Sequence, residues 1–293
     1  MKKLIINLAP TGMIPTKEMT PYVPQSPAEI IEDVLKCAPL GVSVAHLHAR
    51  DTNGLPTYKK EIYREIIAGI KAKNRALVII VSTSGRTYGE FWQRADVLDL
   101  DGEVKPDMAS LTLSSLNFNK IASINSPDMI IKLAEKMQKK GIKPELEVFD
   151  LGMVNFAQYL IKKGLLEPPY YFNILLGNIA AAQAKLLHLG LILSELPDNS
   201  IWSVAGIGDA QCRMNAIGII DGGGVRVGLE DNIWYDEERT VLTTNYALVE
   251  RIIKIAAVMG RPVATPLEVR ELLKLMKANV IRSCRYLPSP EPA

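Results

Sequence analysis

The residues of this chain that can do chemistry sit in a few short stretches. His46 and His48 stand two apart in His46-Leu47-His48-Ala49-Arg50-Asp51. Residues two apart on an extended strand face the same side, so the two imidazoles point together. Paired imidazoles offer half of a zinc site, although two packed or surface histidines give the same pattern. Glu230 stands in Val225-Arg226-Val227-Gly228-Leu229-Glu230-Asp231-Asn232, a polar cluster directly after an apolar run. Two histidines and one carboxylate with an open position form a common catalytic zinc set, which makes Glu230 the candidate third ligand. Arg226 and Asp231 can pair as a base and its electrostatic partner, or as a structural salt bridge at a rim. The remaining histidine, His188 in AKLLHLGLIL, reads as a helix-packing residue rather than a ligand.

Other stretches are suggestive only in combination. Ser82-Thr83-Ser84-Gly85-Arg86 offers hydroxyls and turn amides that can hold a carboxylate, but read alone it is a plain polar turn. Ser110 and Thr112 share one face of a run, and Glu145 and Glu147 share one face of another. A glutamate turned into a barrel is costly unless paired, so at least one of these two acids has a role. Gly206-Ile207-Gly208 leaves room for a ligand to approach the backbone closely. It lacks the third glycine and the acidic partner of a dinucleotide fingerprint.

The elements that must position these groups follow from the hydrophobic pattern. Apolar runs at Leu4–Leu8, Val42–Leu47, Val78–Val81, Met108–Leu113, Leu146–Phe149, Tyr171–Leu176, Ile201–Val204 and Val225–Val227 alternate with amphipathic stretches. Continuous rather than alternating apolar runs indicate strands covered on both faces. Eight strand–helix units predict an α/β chain closed as a (β/α)₈ TIM barrel in a single domain, where a doubly wound sheet would more often have five or six strands. Ser26-Pro27 and Ser126-Pro127 open helices as cap and first-turn residue, and Gly141 closes one. The barrel is expected over residues 1–277, with a Pro-rich tail over 278–293. In such a barrel catalytic groups gather at the C-terminal ends of strands, which is where the stretches above, His188 apart, are expected to fall.

Composition narrows the function classes. With 48% hydrophobic and 23% charged residues, the chain has the balance of an ordinary globular protein. A net charge of +2 without a basic block points away from nucleic acid and from a membrane surface. Three widely spaced cysteines, Cys37, Cys212 and Cys284, suggest a reducing cytoplasm and no disulfide framework. No apolar run is long enough for a signal-peptide core or a transmembrane helix.

Together these stretches resemble the β-keto acid cleavage enzyme family, of the 3-keto-5-aminohexanoate cleavage type. The resemblance is carried by Thr11-Gly12, HLHARD at His46–Asp51, STSG at Ser82–Gly85, SLNF at Ser115–Phe118, PELEVFDLGM at Pro144–Met153, VAGIG at Val204–Gly208, RVGLEDN at Arg226–Asn232 and GRPVATP at Gly260–Pro266. It implies a homotetrameric (β/α)₈ barrel with Zn²⁺ on His46, His48 and Glu230. It implies that Ser82 and Ser110 hold the substrate carboxylate, with Gly85 and Thr112 at neighbouring pocket positions. Glu147 matches an acidic active-site residue, and Arg226 with Asp231 matches the dyad that removes the C2 proton. The implied reaction joins a 3-keto acid to acetyl-CoA and cleaves the adduct to acetoacetate and a new acyl-CoA, with zinc as Lewis acid.

Three departures from the family's pattern bear on specificity. Asp209 follows Gly206-Ile207-Gly208 where many relatives have arginine, and Asn178-Ile179-Ala180-Ala181 replaces a Val-Pro-Gly-Gly stretch. Ile14 stands where the amine-cleaving type has an acid, so Met13 and Ile14 are expected to favour a neutral or apolar tail. Two rival readings are a metal-dependent hydrolase or aldolase on the same barrel, and a non-catalytic metabolite-binding barrel. Amidohydrolase-type sites need further histidines, and this chain has only His188 to spare.

Overall fold

Val78-Ile79-Ile80-Val81 is buried at every position. A strand with helices outside and packed side chains inside has no wet face, and its sequence loses the alternation of a half-exposed strand. Five further strands are buried throughout, and two more are buried along part of their length. The strands are β1 Ile6–Leu8, β2 Val44–Leu47, β3 Val78–Val81, β4 Met108–Thr112, β5 Lys143–Val148, β6 Tyr170–Leu176, β7 Ser200–Gly206 and β8 Gly224–Val227. Each pairs in parallel with the next, and β8 closes on β1 through Val225 with Ile6 and Val227 with Leu8. The computed structural model, which describes residues 2–275, is thus the expected (β/α)₈ barrel. The expected boundary at residue 277, the tail 278–293 and Cys284 lie outside the described residues. Cys37 is buried and Cys212 half-buried, and both are free.

Strand limits differ from the apolar runs in an instructive way. β5 begins at Lys143 rather than Leu146, and β7 reaches Gly206 rather than stopping at Val204. In β5 the cause is Glu145, a polar residue pointing into the barrel, which cuts the apolar run short. The helix caps form as the residues dictate. Ser26 accepts from the Glu29 N–H at 3.2 Å, Ser126 accepts from the Met129 N–H at 3.2 Å, and Gly141 is left-handed at φ 61°.

Inside the barrel, the two-residue side-chain period carries strands from apolar residues at one end to polar residues at the other. Val44 leads to His46, Ile80 to Ser82, Met108 to Ser110 and Thr112, Tyr171 to Asn173, and Ile5 to Asn7. The apolar ends pack with Val269 and Leu273, carried by and following the helix Pro266–Leu272, and close the N-terminal end. The polar ends make the floor of a site at the C-terminal end. Over it stands a small hairpin, Leu116–Asn117 against Ala122–Ser123.

Candidate active site and metal centre

His46 ends inside β2 and His48 follows it, so the strand period turns both rings inward. Their Nε2 atoms lie 3.3 Å apart, and His48 Nε2 lies 3.2 Å from Glu230 Oε1. His46 Nδ1 is 2.7 Å from Glu145 Oε2, which takes its N–H and leaves the Nε2 lone pair facing His48. A carboxylate behind a histidine in this way fixes the ring and its tautomer for a metal. Glu145 is itself fixed, because its Oε1 accepts from Asn7 Nδ2 at 2.9 Å and from Asn173 Nδ2 at 3.0 Å.

This donor set fits zinc. The ligand atoms of His46, His48 and Glu230 all lie within 4.8 Å of one another. Bonds of about 2.0–2.1 Å at tetrahedral angles place ligand atoms roughly 3.3–3.4 Å apart, close to the two spacings above. Glu230 Oε2 is buried and makes no hydrogen bond within the chain. A second set, His46 with Glu145 and Glu147, is also close enough. There both Glu145 oxygens are already used by Asn7, Asn173 and His46, so the first set is the better centre.

The loop after β8 is held from below. Asn245 Oδ1 accepts the Leu229 N–H at 2.8 Å, Gln211 Nε2 donates to Gly228 O at 2.9 Å, and Asn215 Nδ2 donates to Arg226 O at 2.9 Å. Gly12 is left-handed at φ +64°, and a Cβ there would meet Glu230 Cγ at 2.5 Å. Only glycine lets the β1 loop lie against the third ligand. Arg50 holds the same loop, donating to Gly12 O at 2.7 Å and Pro15 O at 3.0 Å.

Arg226 and Asp231 form a forked pair, with Nε to Oδ2 at 2.9 Å and Nη2 to Oδ1 at 3.0 Å. Nη2 also reaches Glu230 Oε1 at 2.7 Å, whereas Nη1 stands 3.7 Å from Glu147 Oε1 and makes no hydrogen bond. Burial pushes Asp231 above its ordinary value against the pull of the Arg226 charge. In Glu230 burial acts upward too, but Arg226 and the two imidazoles outweigh it and hold the carboxyl well below the usual range. Glu147, which accepts from Thr112 Oγ1 at 2.6 Å, is pushed up by burial and by its neighbour Glu145.

Several of these groups line a cavity of about 740 Å³, a size suited to a small-molecule ligand. His48, Ser82, Thr112, Glu147, Arg226, Glu230 and Asp231 all face it, and Met13 and Ile14 line its wall. Ser110 and Gly85 are not among its lining residues. Ser110 Oγ accepts the Thr83 N–H at 3.1 Å, and a Cβ on Gly85 would meet Arg94 Nη1 at 2.6 Å. Ser110 thus ties the turn after Ser82, and Arg94 packs against Gly85.

Two sequence readings are corrected. The space at Gly206 is taken by the chain itself, since a Cβ there would meet Ala210 O at 2.3 Å, while Ile207 and Gly208 do reach the cavity. His188 lies in the first turn of the helix Leu186–Ser194, where its Nδ1 accepts the Gln183 N–H at 2.8 Å. It is a turn-forming residue rather than a packing one. Asn7 and Asn173 were not singled out from sequence, although each is the lone amide in an otherwise apolar strand.

The chain has counterparts among known proteins. The sequence profile of the beta-keto acid cleavage enzyme family matches residues 3–275. The chain is 38% identical over 278 residues to the 3-keto-5-aminohexanoate cleavage enzyme of Acetoanaerobium sticklandii, covering 94% of this chain and 100% of that one. It is 33% identical over 279 residues to the 3-oxoadipate:acetyl-CoA acetyltransferase of Cupriavidus necator, covering 94% and 96% of the two chains. Among solved structures, apo ObcA superposes with a TM-score of 0.77 at 21% identity, over 87% of this chain and 66% of that chain, a likeness of fold alone. A profile match across the whole barrel, with relatives aligned end to end, makes this chain a member of the β-keto acid cleavage enzyme family.

Proposed function

We propose that the chain is a zinc-dependent acyltransferase that uses acetyl-CoA to cleave a 3-keto acid into acetoacetate and a new acyl-CoA. The observation that carries this reading is the convergence of His46, His48 and Glu230 beside the Arg226–Asp231 pair, with all but His46 lining one cavity. Zinc on those three ligands supplies Lewis acidity toward a keto oxygen. The protein's own groups do the rest. Asp231 takes a proton from C2 of the keto acid, and the Arg226 fork keeps its carboxylate aimed. The C2 carbanion forms a bond to the acetyl carbon of acetyl-CoA, and the carbon–sulfur bond breaks. The freed thiolate adds to the original keto carbon, the bond from that carbon to C2 breaks, and the proton on Asp231 returns to C2. Acetoacetate and the new acyl-CoA leave.

The cavity wall supports an uncharged tail. Met13 and Ile14 present apolar surface there, worth about 0.8 kcal/mol per buried methylene. Glu147, the acid best placed to attract a cationic tail, is already engaged by Thr112 and faces Arg226. Ser82 and Thr112 hydroxyls would hold the polar end, with Ser110 tying the turn after Ser82. A homotetramer is part of the same reading, supported by the apolar surface that Leu186, Leu187 and Leu191 expose on one helix. Among the described residues no helix is long and apolar enough to cross a membrane.

The test is a coupled assay of the purified enzyme with acetyl-CoA and either 3-ketohexanoate or 3-keto-5-aminohexanoate. Acetoacetate forms with both reagents present, and kcat/KM is higher for 3-ketohexanoate. Hydrolysis without CoA would point to a hydrolase instead. A clear preference for the amino compound would show that Ile14 does not set the tail.

A further inference from the structure

The cavity holds a second arginine near its floor, bound very differently from the first. Arg226 spends its charge on Asp231 and Glu230, with Glu147 close by. Arg86 has no such partner. Its guanidinium carbon lies 3.5 Å from the centre of the Phe118 ring, and Phe118 is braced edge-on by Phe149 with ring centres 6.0 Å apart. Among the described residues its side chain makes no hydrogen bond and no ion pair, and Nε is buried without a partner. Stacking uses the flat face of a guanidinium and leaves its edge of N–H groups free. Only the backbone N–H of Arg86 is engaged, donating to Ser84 Oγ at 3.3 Å and fixing the turn that begins at Ser82.

A keto acid brings a carboxylate into a cavity already lined by Glu147, Glu230 and Asp231. Arg226 and the two charges of zinc on the proposed centre are balanced by these three acids, so that carboxylate needs a further countercharge. The other cations lining the cavity are Lys120 and Arg239, and Arg239 is half-exposed, 3.6 Å from Asp209. The geometry points to Arg86 as the residue that receives the carboxylate of the keto acid, through the free edge of its stacked guanidinium. This rests on the keto-acid reading above and adds a substrate-binding residue to it. A guanidinium edge matches a carboxylate with two parallel N–H bonds, which lysine cannot reproduce. Phe118 then serves as the platform that holds this edge over the floor.

The experiment compares zinc-loaded wild type with Arg86→Gln, Arg86→Lys and Arg86→Ala. Expected is a rise of about 10- to 100-fold in KM for 3-ketohexanoate in Arg86→Gln, the size of a lost charge-assisted pair. KM for acetyl-CoA stays near wild type, Arg86→Lys recovers only part, and added guanidinium ion rescues Arg86→Ala. Rescue separates a lost contact from a misfolded variant. Calorimetry with acetoacetate alone, without CoA, reads the same contact without turnover, and binding weakens in parallel in Arg86→Gln. An unchanged KM for the keto acid in a turning-over enzyme overturns the assignment and leaves the cleavage reading intact. A rise confined to acetyl-CoA overturns it in favour of a CoA phosphate. Arg86-dependent acetoacetate binding in a protein that cleaves no keto acid keeps the assignment and sinks the cleavage reading. Failure of the wild type both to bind and to turn over removes both.

Discussion

Two buried arginine–aspartate pairs mark opposite ends of the barrel, and their surroundings differ. At the closed end Arg270 forks onto Asp107, both bonds at 2.7 Å, and also donates to Ala76 O at 2.6 Å and Leu77 O at 2.9 Å. Every nitrogen of that guanidinium is spent within the chain, tying the helix Pro266–Leu272 to the starts of β3 and β4. At the open end Arg226 forks onto Asp231 with similar lengths, yet its Nη1 has no partner and three acids crowd around it. The same pair of side chains therefore does two jobs. Where every donor is satisfied the pair fixes structure. Where one donor and a buried carboxylate oxygen of Glu230 are left over, the fold carries unsatisfied polarity that a ligand or metal can use.

Exchanging single residues at the two ends should separate these jobs. The largest effect is expected at the open end. Glu230→Gln and His48→Ala lose the metal and with it measurable turnover, as read by metal analysis of the purified protein. Asp231→Asn keeps its zinc and its fold but loses about 10²–10⁴-fold in kcat, the usual contribution of a general base. Near-normal rates in Asp231→Asn would remove it from the mechanism. At the closed end the loss is one of stability. Arg270→Ala leaves Asp107 buried without its cation and costs about 3–5 kcal/mol in urea unfolding, with kcat unchanged in the folded fraction. If Arg270→Ala lost rate but not stability, the contrast between the two ends would collapse.

The same contrast explains what could be read from sequence. His46, His48, Glu147, Arg226, Glu230 and Asp231 were legible because polar residues inside or just after an apolar run are conspicuous and the strand period gives the direction of those on strands. The barrel was legible because eight runs lack alternation. Strand limits were not, where an inward Glu145 interrupted the run. Asn7 and Asn173 escaped notice because one amide inside a strand looks like a flaw in a hydrophobic pattern. Their role depends on Glu145, which lies across the barrel from Asn7 and on the strand next to Asn173, 138 and 28 residues away in the chain. Gly12 was noted as part of a motif, but its reason, the close approach of Glu230, exists only in three dimensions.

A third buried acid sharpens the comparison from its weakest side, because it has an amide where the other two have arginine. Asp33, in the helix Pro27–Cys37, accepts from Asn245 Nδ2 at 2.5 Å, and Asn245 in turn holds Leu229 beside the metal ligand. Burial raises the Asp33 carboxyl to about 6, with the Asn245 bond pulling only partly the other way. The sign follows from linkage. Above pH 6 the carboxyl is ionised in folded and unfolded chains alike, and the folded state carries the cost of a buried charge. Between about 6 and the ordinary value of 3.8 the folded chain binds a proton that the unfolded chain does not, so this group makes the protein more stable as pH falls through 6. Asp33→Asn keeps an acceptor for Asn245 and removes the charge. The variant should be more stable than wild type by about 1–2 kcal/mol at pH 8, and the difference should shrink steadily toward pH 4. Urea unfolding of both zinc-loaded proteins across that range measures it, since the difference between them cancels the pH dependence of the metal. A difference that did not change with pH would mean that Asp33 titrates normally, and that an amide partner serves a buried carboxylate as well as an arginine does.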